Sequence, residues 1–507
     1  MSKPKSFRPW IPGQTTLMPP SPMDWLPSDH LVFFLLELAE ELDFSPILAP
    51  TRQKDARGEK GFDPRMLTVL LGIASSRKIE RACYEDAAFR VITGNQQPDH
   101  SRISDFRRQH LGGLEALFVQ ILRLCQKAGM VSLGHVALDG TKVKANASKH
   151  KAMSHARMLK AEKQLQQEIR ALLRRAEILD AQEDDRYGKG NGMSDLPEEL
   201  RRRQDRLETI RRARRELEAE TAAAAARDRA EQAAAAEAAA TAAAEDPGEQ
   251  EELRNKAAKA HQKAEAARDL AIETAEQAGM APPDLDPLPP EAMPRRGLAH
   301  KADGSPTTQA QRNFSDPDSH IMKSDGGWIQ GYNGQAAVDG DHQVIVAIGV
   351  SNQPPDVEHL EPMLERIAAN AGALPEVMTL DAGYWSEANA QACSAKGVDP
   401  FNRSAEAFGY ATGRQKHGQP PPPKRGPIPK SLDMKGRMAR KLQNKTGREI
   451  YGRRKSIVEP VFGQTKECRG LRRFLLRGLQ KVNGEWALWC MTHNINKLFR
   501  FRSALAA

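Results

Sequence analysis

The chain has 507 residues, a formal net charge of +9 and five cysteines without a CxxC pair. That length exceeds what one core supports, so roughly two to four domains are expected. The cysteine spacing argues against a zinc site or disulfide frame, and no apolar leader or eighteen-residue apolar run is read, which points to a cytoplasmic protein with no membrane partner. The charge is uneven: residues 401–507 carry 24 Lys plus Arg against 6 Asp plus Glu, a local +18 that leaves −9 for the remainder and suggests a polyanion partner, nucleic acid first.

Residues 1–28 are Pro-rich and read as extended or disordered. Residues 29–130 read as an all-α domain. DHLVFFLLELAEEL has helical spacing with Asp29 as cap, and a second helix starts with Asp63 as cap and Pro64 at its first position. Asp99 caps DHSRISDFRRQH, a helix whose Arg102, Arg107 and Arg108 form a candidate DNA contact. Segments 151–183 and 198–280 are rich in Ala, Glu, Arg, Lys and Gln, and predict long, mostly solvated helices. Strand-like sequence stops before this stretch and resumes after it, so 151–310 reads as an insertion.

Strand signals return at 328. WIQGYNGQAAV and QVIVAIGVS flank Asp339-Gly340-Asp341, a strong hairpin signal. A helix follows, capped by Asp356 and stopped by Gly372. Then come VMTLD as a short buried strand, a helix capped by Ser386, VDPFNRS as a short strand, a proline-rich basic loop within 404–430, and a helical end from about 433.

Three blocks each carry one acid: GHVALDG with Asp139, EVMTLDAGYW with Asp381, and SIVEPVFGQTK with Glu459. Two strand-borne carboxylates and a helical one are what a two-metal phosphoryl-transfer site needs, because Mg²⁺ takes hard oxygen ligands. Singly, each acid has a plainer reading: Asp139-Gly140 and Asp381 as strand-end turns, and Ser456-x-x-Glu459 as a capping box. Without the insertion the element order is βββαβαβα, that of a ribonuclease-H-like mixed sheet. Its first and fourth strands would lie side by side, bringing together aspartates 242 positions apart.

The blocks resemble those of DDE-type transposases of bacterial insertion sequences. The first resembles the Leu-Asp-Gly-Thr strand of that family, and TLDAGYWSE its Asp-x-Gly-Tyr block. YGRRKSIVEPVFGQTK resembles its Tyr…Arg…Glu-x6-Lys block, in which Glu459 and Lys466 keep the spacing. FDPRMLTVLLG resembles the helical segment that precedes catalysis. The resemblance covers 29–150 and 315–500 and implies a ribonuclease-H-like catalytic domain over 131–150 plus 311–507.

The resemblance also implies a mechanism. Asp139, Asp381 and Glu459 would hold two Mg²⁺ ions, with Mn²⁺ able to substitute. Terminal inverted repeats and target DNA would be the partners, a homodimer would pair two DNA ends, and Lys466 would neutralise phosphate charge. One departure stands out: the family arginine lies four residues before the glutamate, where this chain has Lys455, and Arg454 lies five before. On a helix Tyr451, Lys455 and Glu459 share a face, and Arg454 turns away by about 140°. Either Lys455 takes the phosphate contact or the helix is irregular before Pro460. Two other readings remain: a transposase-derived DNA-binding protein without activity, and a ribonuclease-H-like nuclease without strand transfer.

Overall fold

The computed structural model describes residues 21–48, 62–70, 75–187, 198–242, 247–324, 326–403 and 423–506. Most of the extended segment expected over 1–28, and most of the proline-rich loop, lie outside them. The chain divides into two compact units, one of Met1–Ala128 with Ala487–Ala507, the other of Gly129–Trp486. The range read from sequence as catalytic, which ran to 507, thus has its last residues in the first unit. No described helix is long and apolar enough to cross a membrane.

The first unit is helical among its described residues: α1 (Leu31–Glu41), α2 (Ser45–Leu48), α3 (Pro64–Leu70), α4 (Ser76–Glu85), α5 (Ala87–Thr93), α6 (His100–Gln109) and α7 (Leu111–Lys127). Asp63 and Asp99 accept backbone N–H groups at the starts of α3 and α6, as their sequence positions suggest. Asp29 does not cap α1. The His30 ring does, accepting from the Val32 N–H at 3.2 Å.

The second unit is built on a mixed sheet. Strand β1 (His135–Lys144) continues past Asp139, so Gly140 is a strand residue and not a turn. After the short β2 (Ala152–Ser154) and β3 (Gln311–Asn313), β4 (His320–Ser324), β5 (Gly327–Asp339) and β6 (Ile345–Ser351) follow. Then come β7 (Val377–Leu380) and β8 (Asp399–Asn402). The order is β4-β5-β1-β7-β8, with β6 also on β5. Strand β1 runs antiparallel to β5 and parallel to β7, and β7 runs parallel to β8. The pairing of β1 with β7 is the neighbourhood that the element order predicts. The Asp339-Gly340 hairpin joins β5 to β6, with a register shift at Ala337/Val338.

Three long helices lie between β2 and β3: α8 (His155–Tyr187), α9 (Glu198–Ala242) and α10 (Pro247–Gln277). They are less solvated than their composition suggests. Met158, Leu165 and Ile169 of α8 pack on Leu200, Leu207, Ile210 and Leu217 of α9. Ala222, Ala223 and Ala226 of α9 pack with Ala271 of α10, where small side chains permit close approach. Each fully buried leucine contributes about 1.5–3 kcal/mol, so sparse apolar rows suffice to pair helices that are otherwise charged.

The remaining helices are α11 (Leu360–Ala371), α12 (Glu387–Ala395), α13 (Met434–Gln443), α14 (Lys445–Gly463) and α15 (Leu479–Ala506). Gly372 ends α11 in the left-handed region at φ 79°, which a glycine adopts without strain. Asp356 does not cap the 3-10 turn Val357–His359 that follows it and leads into α11: its carboxylate makes no cap bond and turns to the sheet. Ser386 caps α12 through the Asn389 N–H. Pro460 lies inside α14 without ending it, and a π-type turn, Gln464–Cys468, follows.

Candidate active site

The site begins with register. Leu138 of β1 pairs with Leu380, the last residue of β7, so the residue that follows each is an aspartate: Asp139 within β1 and Asp381 just beyond the end of β7. Alternation along β1 sets which face each side chain takes. Asp139 opposes Ala336 on one face, and Gly140 opposes Gln335 on the other.

Helix α14 crosses the Asp139 face. Its Arg454 is 7% exposed. The guanidinium donates to Asp139 Oδ2 at 2.8 Å and lies 3.8 Å from Asp381 Oδ1. Asp139 Oδ1 accepts the Gly140 N–H at 2.8 Å. Burial pushes the Asp139 carboxyl up to about 6, against the pull of Arg454 and with a further push from Asp381. Burial works against the charge of Arg454, but the two aspartates outweigh it and hold its pKa above the ordinary value. Burial also raises the Tyr451 phenol, with Asp381 and Asp139 adding to the effect and Arg454 opposing it.

The face of α14 turned to the aspartates therefore carries Arg454, with Ile457, Val458 and Val461 buried along the same helix. Lys455 and Glu459 are exposed. This differs from the helical face read from sequence, which grouped Tyr451, Lys455 and Glu459. A helical period groups residues but does not say which group faces inward; the buried Ile457, Val458 and Val461 decide that here. The Glu459 side chain makes no hydrogen bond or ion pair with a described residue, and the described residues contain no group of three acidic, His or Cys side chains disposed to hold a metal. Ser456 lies within α14 and donates to the Arg453 carbonyl, so no capping box forms.

The two aspartates nonetheless suit a divalent ion. They are oxygen donors already sharing one cation, the Arg454 guanidinium, and Mg²⁺ is commonly held by one or two carboxylates together with water and substrate phosphates.

Lys466 lines a cavity of about 520 Å³ together with Lys142, Lys144, Lys149 and Arg473. Of the three arginines read as DNA contacts on α6, Arg107 is 4% exposed, which removes it from the surface. Arg102 and Arg108 are exposed and pair with Asp99 and Asp105. Asp356, read from sequence only as a cap, proves to be a hub behind the aspartates. Its position at a helix start gave no sign of that, because its partners come from distant strands.

Residues 296–495 match a family model described as a transposase DDE domain, and residues 20–109 match one described as a transposase domain (DUF772). Asp381, Glu459 and Lys466 lie inside the first match, and Asp139 lies before it. No curated protein and no solved structure matches the chain.

Proposed function

We propose that this chain, whose residues 296–495 and 20–109 match transposase domain models, is a transposase of the DDE type that cleaves DNA at the ends of an insertion sequence and joins the freed ends to target DNA. The observation that supports this most is the pairing of β1 with β7, which sets Asp139 beside Asp381 around one buried cation. On this reading the fold is a ribonuclease-H-like catalytic domain interrupted by the α8–α10 insertion and preceded by an all-α DNA-binding domain.

Asp139 and Asp381 would hold Mg²⁺ or Mn²⁺, and Glu459 would join them when DNA engages the exposed side of α14. When bound, the two ions supply Lewis-acid activation of the attacking oxygen and charge stabilisation of the leaving oxygen. The chain's own groups do the positioning. Arg454 leaves the aspartates for a phosphate oxygen, where its planar fork suits bidentate contact. Lys466, Lys144 and Lys149 draw the DNA backbone into the basic cavity. Tyr451 and Lys455 flank that path on α14, and Arg102 and Arg108 offer a contact on the N-terminal unit. Two copies pair two DNA ends, and the protein works in the cytoplasm on the nucleoid.

The test is cleavage and joining in vitro with the DNA that flanks the gene. Mg²⁺-dependent nicks at inverted repeats and joined donor–target products support the proposal. Binding without cutting, equal in wild type and Asp381→Ala, favours a DNA-binding protein without activity. Cutting without joined products favours a nuclease.

A further inference from the structure

On the face of the sheet opposite Asp139, one carboxylate gathers groups from β1, which carries Asp139, and from the neighbouring β5. Asp356 Oδ1 accepts from Lys142 Nζ at 3.0 Å, from Asn333 Nδ2 at 2.6 Å and from Gln335 Nε2 at 2.9 Å. Its Oδ2 lies 3.2 Å from the same lysine nitrogen. Lys142 is on β1, three residues beyond Asp139. Asn333 and Gln335 are on β5, beside it. Gln335 Oε1 accepts in turn from the Tyr384 hydroxyl, in the 3-10 turn Ala382–Tyr384 that begins at Asp381.

The same carboxylate crowds a glycine in each aspartate block. A Cβ at Gly140 would lie 2.8 Å from Asp356 Oδ1 and 2.4 Å from Gln335 Nε2. A Cβ at Gly383 would lie 3.3 Å from Asp356 Oδ2. Both glycines have negative φ, since neither is among the positive-φ residues, so neither is there for backbone freedom. What the two positions share is contact with Asp356.

We infer that Asp356 is a positioning residue: its three-donor cluster, held against Gly140 and Gly383, sets the spacing of Asp139 and Asp381. The chemistry favours this over a ligand role. The carboxylate sits across the sheet from Asp139, and its oxygens are taken up by Lys142, Asn333 and Gln335. A cluster of this kind fixes the backbone on which ligands stand, and losing such a support typically costs about 10–100-fold in metal affinity or activity. The inference rests on the proposed metal-dependent cleavage.

The experiment compares wild type, Asp356→Asn and Gly383→Ala. It measures the Mg²⁺ or Mn²⁺ concentration for half-maximal cleavage of the flanking repeat DNA, together with Tm and DNA binding. Asp356→Asn keeps Oδ1 as an acceptor but removes the charge opposite Lys142. It should raise the half-saturating metal concentration about 10–100-fold while binding DNA as wild type does and melting within a few degrees of it. Gly383→Ala presses on the carboxylate from the other side and should shift the same quantity in the same direction. Unchanged metal dependence in Asp356→Asn overturns the inference. So does a loss of cleavage that only follows a lowered Tm. If wild type itself does not cut, the transposase proposal has failed, and a crystal structure of Asp356→Asn decides the positioning role alone: a displaced Ala382–Tyr384 turn supports it, and an unmoved turn overturns it.

Discussion

Arg454 and Asp139 form a 2.8 Å ion pair across 315 positions of sequence, with Asp381 3.8 Å from the same guanidinium. A cation thus stands between the two carboxylates proposed to hold Mg²⁺. Two positive charges cannot share that space without strong repulsion, so ion binding and this pair should compete. Arg454→Ala is expected to destabilise the metal-free protein by about 3 kcal/mol, because it leaves a buried carboxylate without its partner. Mg²⁺ should then raise Tm more in the variant than in wild type. Thermal melts with and without Mg²⁺ check this, and equal increments in both proteins would show that guanidinium and ion occupy different places.

Proton and metal should compete at Asp139 as well. Its carboxyl is raised to about 6, chiefly by burial. A raised carboxyl binds its proton more tightly in the folded chain than in the unfolded one. Its contribution to stability is therefore full below the ordinary value of 3.8 and is lost as pH rises through about 6. That loss is on the order of 3 kcal/mol in the metal-free protein. Asp139→Asn should flatten this part of the stability–pH curve. For cleavage the sign is opposite, since only the deprotonated group binds a metal ion. The rate should fall below about pH 6, and raising Mg²⁺ should move the falling limb to lower pH. A limb that stays put as Mg²⁺ is varied would remove Asp139 from the ligand set.

Glu459 supplies the sharpest test of the three-acid reading. It is exposed, five residues beyond Arg454 and so about 140° around the helix from it. Glu459→Gln should change stability by no more than about 0.5 kcal/mol, as surface substitutions do. If the side chain joins the site with DNA bound, the same variant should lose cleavage by about 100-fold or more, in line with removal of one charge-stabilising group. Cleavage at the wild-type rate would restrict the site to the two aspartates and end the assignment of a third acid here.

What sequence could convey depended on the range of the interaction. The Asp339-Gly340 hairpin, the Ser386 cap and the Gly372 stop are set by neighbours a few residues away, and they stand where local chemistry puts them. The meeting of Asp139 and Asp381 was legible because element order constrains strand pairing. The inward face of α14 was not, since periodicity is blind to rotation about the helix axis. Asp356 was misread for a related reason. An aspartate ahead of a helix has a good local use as a cap, and nothing nearby in sequence reveals that Lys142, Asn333 and Gln335 outcompete it.

The α8–α10 segment tests how far composition misleads about burial. Its Ala-, Glu- and Arg-rich sequence suggests an arm that can be removed, leaving the rest folded. The packing argues otherwise. Leu217 is fully buried, and Arg312 at 7% exposure pairs from β3 with Glu216 and Glu220 of α9. Removing 198–280 would strip both carboxylates from that guanidinium and uncover the apolar row of α8. The deletion should therefore lower Tm sharply or abolish a cooperative melt. Arg312→Ala alone should cost about 3 kcal/mol, since burial already raises the pKa of Glu220 against the pull of Arg312 and the variant leaves that carboxylate uncompensated. Adding Glu216→Ala and Glu220→Ala should recover part of the loss, because the three residues act as one network and their effects are not additive. A deletion variant that melts as cooperatively as the full chain would show that the arm is dispensable to the fold.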